Sequence, residues 1–277
     1  NSSRYFFDLR NTFTNWGGWG GNWLLQGVSD DNYFIDYSRS ILSSSQRVLP
    51  RVFNASRALG SDWSVLFSVQ TWQSILDARP GPYERVPQLQ FRNVLRDVRG
   101  FDVDTLLDAT QFAAPRAGQV EGWRLVANPQ VSFPIVRAGW SIVPKVSLHA
   151  TSYELVDSGA LPSSSSRVIP AWSIDSGMVF ERPARFFGRD VTQTLEPRLF
   201  YVRTPYSDQS RLPVFDTTVA DFNFAQLFSE NTFIGNDRIA DVNQLTAAAV
   251  SRVIDPANGA ERFRFAVGQR IYFSQQR

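Results

Sequence analysis

The side chains that could do chemistry are few, and three aspartates form the clearest set. Asp102, Asp104 and Asp108 recur at even spacing in FDVDTLLD (101–108), which places all three on one face of a strand. Two carboxylates on one face could share acid–base work. The same pattern arises when charged side chains line the polar lumen of a barrel, and we prefer that interpretation because barrels turn their charges inward.

A single histidine is the other candidate for acid–base chemistry. His149 shares a strand face with Lys145 in GWSIVPKVSLHATSY (139–153), so both are predicted to line a lumen. One histidine and no cysteine exclude a local two-histidine zinc arrangement and a cysteine metal site within this chain. Enzymatic activity therefore finds little support, and no cofactor is predicted.

The charge balance and hydropathy restrict the class of protein. The chain has 28 Lys+Arg and 26 Asp+Glu, a net charge of +2, with no run of one sign, so nucleic-acid binding has no electrostatic footprint. No apolar run approaches the ~20 residues of a transmembrane helix. The chain opens on Asn1 without a methionine or a signal peptide, so we expect a processed protein or an excised piece of a longer one.

The elements that must position these side chains alternate with period two, as in DWSVLFSVQTW (62–72) and RFRFAVGQRIYF (262–273). Many of the predicted strands run ten residues or more. A soluble strand averages about 5–6 residues, whereas a tilted outer-membrane strand needs about 9–11. The pattern therefore favours an all-β transmembrane barrel with strands at 4–13, 19–28, 47–57, 62–75, 84–94, 100–111, 122–132, 139–153, 167–180, 190–203, 242–254 and 261–273.

Short and long connections alternate along the chain. Outer-membrane barrels have short periplasmic turns and long extracellular loops, so the short connections at 58–61, 95–99, 133–138, 181–189 and 255–260 are predicted to be periplasmic. The long ones, predicted to be extracellular, are 29–46, 76–83, 112–121, 154–166 and 204–241. The serine-rich LPSSSS (161–166) then falls in an extracellular loop. A soluble β-sandwich or carbohydrate-binding protein would show similar alternation and stays open at this point.

The longest connection, 204–241, carries many aromatic residues, including Phe228 and Phe233, among charged ones. A solvated loop rarely does so, and this one is predicted to fold back onto an apolar surface. It could pack on itself, or it could cap the barrel mouth or contact lipid. The pattern does not locate its partner.

Three runs carry a resemblance to a known family. TQTLEPRLFYVRTPYSDQSRLPVFD (192–216), LFSENTFIGNDRIADVNQLTAAAVSRVID (227–255) and ERFRFAVGQRIYF (261–273) are similar to the barrel domain of the LptD, or organic solvent tolerance, family of lipopolysaccharide-assembly proteins. The segments VSDDNYFIDYS (28–38) and GMVFERP (177–183) fit the same family. The likeness spans essentially the whole chain.

The resemblance implies a fold and a function. The family has a very large barrel preceded by a periplasmic jelly-roll domain, and cysteines outside the region matched here. It receives lipopolysaccharide from a periplasmic bridge and delivers it to the outer leaflet of the Gram-negative outer membrane. A small LptE-like lipoprotein plugs the barrel. This chain would be a single partial domain over 1–277, an incomplete antiparallel up-and-down sector of about twelve long strands without the jelly roll or the closing strands.

The implied function is lipopolysaccharide delivery and insertion. The implied partners are lipopolysaccharide, the plug lipoprotein and the bilayer, with the periplasmic bridge reached only through the absent jelly roll. Arginines of the segment could meet lipopolysaccharide phosphates, although the sequence does not say which. A general porin is the alternative function, and a soluble β-rich binding protein is a further one.

The family motif also suggests candidate residues. Asp237, Arg238, Asn243 and Gln244 match it, and with Phe228 and Phe233 they are predicted to fix the long loop over the lumen and shape an exit path. Ordinary stapling of the loop at the strand entrance is the simpler alternative.

Six prolines fall inside predicted strands, although proline cannot donate to a strand ladder. Four lie near strand ends, at Pro50, Pro87, Pro129 and Pro170. Pro144 and Pro197 are internal, and each forfeits one bond worth about 0.5–1.5 kcal/mol in water and more in lipid. A long strand can absorb that loss, especially at a bulge.

Overall fold

A computed structural model of the chain describes residues 3–37, 47–75, 81–114, 116 and 118–275. Parts of the predicted loops 29–46, 76–83 and 112–121 lie outside the described residues. Among those described, no helix is both long and apolar enough to cross a membrane.

The alternating segments form one antiparallel sheet of 14 strands in chain order, and a separate two-stranded sheet lies within the longest connection. All twelve predicted strands are present, so the all-β antiparallel prediction is confirmed. The elements are β1 (Phe6–Trp16), β2 (Trp19–Val28), α1 (Tyr33–Tyr37), β3 (Val48–Leu59), β4 (Trp63–Ser74), β5 (Glu84–Val98), β6 (Phe101–Ala113), β7 (Glu121–Ser132), β8 (Ile135–Arg137), β9 (Trp140–Asp157), β10 (Ser164–Met178), β11 (Phe180–Phe186), β12 (Arg189–Thr204), β13 (Thr218–Val219), a 3-10 helix (Ala225–Phe228), β14 (Phe233–Ile234), β15 (Val242–Ile254) and β16 (Glu261–Tyr272).

The sheet is open. Its path runs from β1 to β16, with β8 attached to β9 and β11 attached to β12, and each strand of the path pairs with its neighbours along the chain. Within the described residues β1 and β16 do not pair with each other. An open sheet of this length is consistent with an incomplete sector of a barrel.

Three predicted connections were wrong in part. The turn predicted at 181–189 is mostly β11, which pairs with β12 from Phe180–Leu195 to Phe186–Arg189. Three serines of the predicted extracellular LPSSSS, Ser164–Ser166, begin β10 and pair with 152–154. The connection 133–138 contains β8. In each case hydrogen bonds to a long neighbouring strand extend the ladder into residues whose composition is typical of turns.

The two internal prolines lie where regular pairing already lapses. Pro197 on β12 stands opposite 178–179, where β10 gives way to β11. Pro144 on β9 stands opposite 133–134, where β7 gives way to β8. Neither proline is at a bulge in its own strand, whereas Pro87 lies between register shifts on both sides. The missing donors of Pro144 and Pro197 are therefore placed at interruptions in a neighbouring strand.

The sheet has two unlike faces. On β9, Val146 and Leu148 are exposed, whereas Ser147 and Thr151 on the opposite face are buried. The buried side is covered by residues 205–241, and we call it the inner face. The outer face carries exposed apolar side chains on most strands, as expected of a surface that meets lipid.

A close approach between strands makes one glycine irreplaceable. A Cβ at Gly21 would lie 2.0 Å from the backbone oxygen of Asn54 and 2.7 Å from Phe13 Cζ. We expect Gly21→Ala in the full-length protein to lower the free energy of unfolding by about 1–3 kcal/mol or more, because the clash is with backbone. Gly20→Ala is the matched control, since its nearest neighbour would lie at 3.7 Å. Equal urea midpoints for the two variants in detergent would contradict this account.

Candidate functional site

The connection between β12 and β15 folds onto the inner face of the sheet. We call residues 205–241 the inner loop. It contains the β13–β14 hairpin and the 3-10 helix, and it contacts inner-face side chains from β5 to β16. The predicted contact with an apolar surface is confirmed, and that surface belongs to the sheet rather than to the loop alone. Capping of a barrel mouth stays a prediction.

An aromatic side chain anchors one end of the inner loop. Phe215 stacks on Phe112 of β6 with ring centroids 4.4 Å apart and planes 5° from parallel. The Tyr83 ring meets the Phe215 ring edge-on, with the centroids 5.0 Å apart. The centroid of the Tyr153 ring of β9 lies 6.3 Å from that of Phe215. Leu212 completes this buried cluster. At this end of the loop, the predicted apolar contact is with strands β6 and β9.

An arginine beside that cluster binds two carboxylates of the loop. Arg124 on β7 is 1% exposed, and its Nη1 donates to Asp216 Oδ1 at 2.6 Å and to Asp237 Oδ1 at 2.7 Å. Its Nη2 donates to Asp216 Oδ2 at 2.9 Å. Arg85 on β5 reaches Asp216 Oδ2 at 3.3 Å. Pairing with two carboxylates offsets the cost of burying the Arg124 charge.

We call Asp216 and Asp237, together with the arginines that surround them (Arg85, Arg124, Arg167 and Arg238), the anchor. Asp237 lies at its centre and is fully buried. The Tyr153 hydroxyl donates to its Oδ1 at 3.1 Å. The backbone N–H groups of Phe215 and Asp216 donate to its Oδ2 at 2.8 and 2.9 Å. One carboxylate thus ties two strands to the turn that carries Phe215, because every oxygen of the ion has donors.

The second carboxylate has a shifted pKa. Burial opposes ionisation of Asp216, but the hydrogen bonds from Arg124 and the charges of Arg124 and Arg85 outweigh burial and hold the pKa of Asp216 below its ordinary value of 3.8. A group whose pKa is lower in the folded state contributes stability above its unfolded pKa, and this contribution disappears as the pH falls through its folded pKa.

We therefore expect the inner loop to stay seated from neutral pH down to about pH 4 and to leave the sheet only below the ordinary aspartate pKa of 3.8. The distance between spin labels at Val219→Cys and Ala160→Cys, in the full-length protein, measures this release. Adding Asp216→Asn should weaken seating at neutral pH and flatten the acid dependence. An acid transition of the same depth in that variant would contradict the assignment.

Peptide oxygens of the loop are held by two further arginines. Arg167 on β10 donates to the carbonyl oxygens of Asn236 and Asp237, and also to Gln209 Oε1. Arg238 donates to the carbonyl oxygens of residues 212, 213 and 237 at 2.9–3.1 Å. These contacts fix the backbone of both loop segments that flank the hairpin.

The other end of the inner loop lies against β9, β12 and β15. Phe228 packs under the Arg198 guanidinium, 4.0 Å from ring centroid to Cζ. The Thr246 hydroxyl donates to the carbonyl oxygen of Leu227 at 2.6 Å. Lys145 and Glu230 form an ion pair at 2.8 Å. A cavity of about 820 Å³ adjoins this end, and charged and aromatic residues line it, among them Glu196, Arg198, Phe224, Phe228, Arg252 and Arg264.

The predicted loop residues take different places. Asp237 and Arg238 lie in the anchor, and Phe228 and Phe233 pack against the buried cluster on β12 and β15. Gln244 is buried on the inner face, and its amide has no hydrogen-bond partner among the described residues. The side chain of Asn243, at the adjoining position of alternating β15, accepts a hydrogen bond from the Tyr201 hydroxyl at 2.9 Å.

The three aspartates that were predicted to line a lumen each bind a different neighbouring side chain, and they do not form a shared acid–base pair. Asp102 pairs with Arg96 at 3.2 Å and Asp104 with Arg92 at 2.6 Å, whereas the buried Asp108 accepts from Gln88 at 2.6 Å. Lys145 and His149 share a face of β9, as predicted. In the part of the chain that the structure describes, no group of three or more His, Cys, Asp or Glu could hold a metal ion.

Sequence reasoning missed Arg124, Tyr153, Arg167 and Asp216, whereas Phe215 was among the aromatic residues of 204–241 that were predicted to fold back onto an apolar surface. Arg124 occupies an inward position of EGWRLVAN (121–128), where a barrel strand is expected to carry a polar side chain, so its segment does not mark it as a site residue. The other missed residues resemble ordinary strand and loop residues, and their sequence neighbours do not distinguish them as site residues.

Comparison with known proteins gives one family. The family model described as LPS transport system D (LptD) matches residues 2–277. Similar proteins include the LPS-assembly protein LptD of Cupriavidus pinatubonensis, 42% identical over 288 residues, which cover 100% of this chain and 35% of that protein. The protein of the same name from Ralstonia nicotianae is 43% identical over 259 residues, covering 90% and 32%. In Burkholderia thailandensis the identity is 43% over 281 residues, covering 98% and 35%. The chain spans about a third of the length of these relatives.

Proposed function

The chain belongs to the LPS transport system D (LptD) family, and from that premise we propose that it forms one sector of the wall of an outer-membrane translocon. Members of the family are outer-membrane proteins of Gram-negative bacteria, and this chain lies in that membrane. The translocon would deliver lipopolysaccharide and insert it into the outer leaflet. The match over residues 2–277 carries this proposal.

The two faces of the sheet suit the transport of an amphiphile. Lipopolysaccharide joins a charged saccharide to acyl chains, and one environment cannot accommodate both without a desolvation cost. The inner face offers paired charges and hydroxyls, whereas the outer face offers apolar side chains. A wall built this way can carry the saccharide on one side while the acyl chains stay in lipid. No catalytic step by this segment is needed.

The inner loop gives the sector a second role. Asp237 and Arg238 hold it across the inner face, and Phe228 and Phe233 seat its far end. We propose that it shapes the exit path by narrowing the space between wall and saccharide. The proposed partners are lipopolysaccharide itself and an LptE-like plug lipoprotein inside the barrel. A periplasmic bridge is proposed as a partner of the full-length protein through the jelly-roll domain that the family resemblance implies. A freely conducting porin is not favoured, because the loop covers the inner face.

A depletion experiment tests the proposal. In cells whose native gene is switched off, the full-length protein should restore lipopolysaccharide at the surface, and a version lacking 209–239 should assemble but restore less. A version lacking the exposed turn 256–259 is the matched control and should restore fully. Normal surface lipopolysaccharide without any copy of the gene would overturn the proposal. The purified complex should also be nearly silent in planar bilayers, and large steady ion currents would instead indicate a porin.

A further inference from the structure

Two arginines of the anchor have no carboxylate partner within the described ranges of the chain. Arg167 is 6% exposed, and its guanidinium meets only Gln209 and the peptide oxygens of Asn236 and Asp237. Arg238 meets only peptide oxygens. Among the residues that the structure describes, neither forms an ion pair. Buried arginines are usually paired with an anion, whereas the acceptors of these two are neutral oxygens, which form weaker hydrogen bonds to a guanidinium group than carboxylate oxygens do.

The two cations meet at a single atom. The carbonyl oxygen of Asp237 accepts from Arg167 Nη1 at 2.6 Å and from Arg238 Nη1 at 2.9 Å. Like charges this close repel, and burial reduces the screening that water would supply. A neutral oxygen relieves this repulsion only slightly. An anionic oxygen in the same place would attract both guanidinium groups.

The whole anchor carries a surplus of positive charge. Four guanidinium groups surround two carboxylates, which leaves two charges uncompensated within the described residues; the groups are Arg85, Arg124, Arg167 and Arg238 around Asp216 and Asp237. Two buried donors are also unused, because the Nε atoms of Arg124 and Arg167 have no hydrogen-bond partner among the described residues. Surplus charge and free donors together point to an anion.

We propose that Arg167 on β10 binds a phosphate group in place of the peptide oxygens of residues 236 and 237, which occupy its guanidinium while the inner loop is seated, and that the charge of Arg238 in the adjoining loop attracts the phosphate to this position. The guanidinium fork matches two oxygens of a phosphate, and two successive carbonyl oxygens imitate that pair. Phosphate and loop then compete for the same donors. Binding of phosphate therefore releases the loop, and a seated loop weakens phosphate binding by the same factor.

The proposed function enters only in naming the source of the phosphate. A phosphorylated saccharide passing along the inner face would bring such a group to the loop, and the loop would yield to it. Inorganic phosphate has the same chemistry. The site itself rests on the contacts of Arg167 and Arg238.

Hydrogen exchange of residues 205–241 in the full-length protein in detergent tests the site. Exchange should be several-fold faster in sodium phosphate than in sodium chloride of equal ionic strength. Arg167→Gln should abolish this difference. Arg203→Gln is the matched control, because Arg203 lies on the neighbouring strand β12 and stacks on Trp172 at 6.0 Å, away from the loop oxygens. It should keep the full response.

Equal exchange in the two salts would overturn the proposal, and so would an undiminished phosphate response in Arg167→Gln. If that variant already frees the loop in chloride, a second measurement decides. Saturable line broadening of inorganic phosphate in phosphorus NMR should be seen with the wild-type protein and lost in Arg167→Gln. Broadening of equal extent in both proteins would also overturn the proposal.

The source of the phosphate is separated by a third comparison. A soluble phosphorylated glucosamine disaccharide and its dephosphorylated form are compared with inorganic phosphate. A response to the phosphorylated sugar at much lower concentration than to inorganic phosphate assigns the site to a saccharide headgroup, and responses at similar concentrations indicate a general phosphate site. An equal response to the dephosphorylated sugar would overturn the proposal. If phosphate has no effect while surface lipopolysaccharide still depends on the protein, the inference fails and the proposed function stands.

Discussion

Replacing Asp237 by Asn is expected to detach the inner loop from the sheet while leaving the strands paired. The substitution keeps the volume but removes the charge that Arg124 and four further donors share. It also turns an amide N–H₂ either toward the Arg124 guanidinium or toward the backbone N–H groups of Phe215 and Asp216, all of which can only donate. Breaking one side of a buried ion pair costs about 3–5 kcal/mol, so hydrogen exchange of 205–241 should speed up by roughly two to four orders of magnitude.

The matched control for this variant is Asp221→Asn, which makes the same chemical change at an exposed position of the same loop. Its exchange should stay close to that of the wild-type protein. Peptides from β9 and β12 should exchange alike in all three proteins. If Asp237→Asn leaves the loop as protected as before, Asp237 is not the residue that seats it.

Phe215→Ala should have an effect of similar size for an apolar reason. Phe215 is buried between Phe112, Tyr83 and Tyr153, and no other loop residue reaches this cluster except Leu212 among those described. Removing a buried phenyl ring costs about 3–5 kcal/mol when the surroundings cannot collapse into the space. Limited proteolysis should therefore cut the loop of the full-length protein at enzyme concentrations that leave the wild-type loop intact.

Phe222→Ala provides the comparison for that experiment, because Phe222 lies on the same loop and is 77% exposed. It should leave the cleavage rate almost unchanged. Equal cleavage of the two variants would mean that the aromatic cluster contributes little to seating. Combining Phe215→Ala with Asp237→Asn should then reveal whether the apolar and ionic contacts act together.

The strands could be predicted closely from the sequence, because period-two alternation is a local property and the long ladders leave little freedom in register. For β15 the predicted and observed bounds coincide, and β9 was only extended, from 139–153 to 140–157. The errors lie in segments whose own sequence predicts a turn but which pair with a long neighbouring strand, as β11 does with β12.

The anchor of the inner loop could not be predicted, because it joins residues far apart in the chain. Arg124 and Asp216 are 92 positions apart, and Arg85 and Asp216 are 131 apart. Local patterns contain no information on such pairs. Asp237 and Arg238 were found only through the family motif. The motif did not reveal that the side-chain oxygens of Asp237 accept hydrogen bonds, whereas the guanidinium of Arg238 donates to peptide oxygens of the loop.

The distance in sequence between loop and wall has a consequence for assembly. Each strand of the sheet path pairs with its chain neighbour, so the wall can grow one hairpin at a time. The inner loop cannot be placed until β5, β7, β9 and β10 all stand in their final order. A slip of one residue in β7 would turn Arg124 to the outer face and leave Asp216 and Asp237 without it. The inner loop can therefore be seated only after the strands of the wall have paired in the correct register.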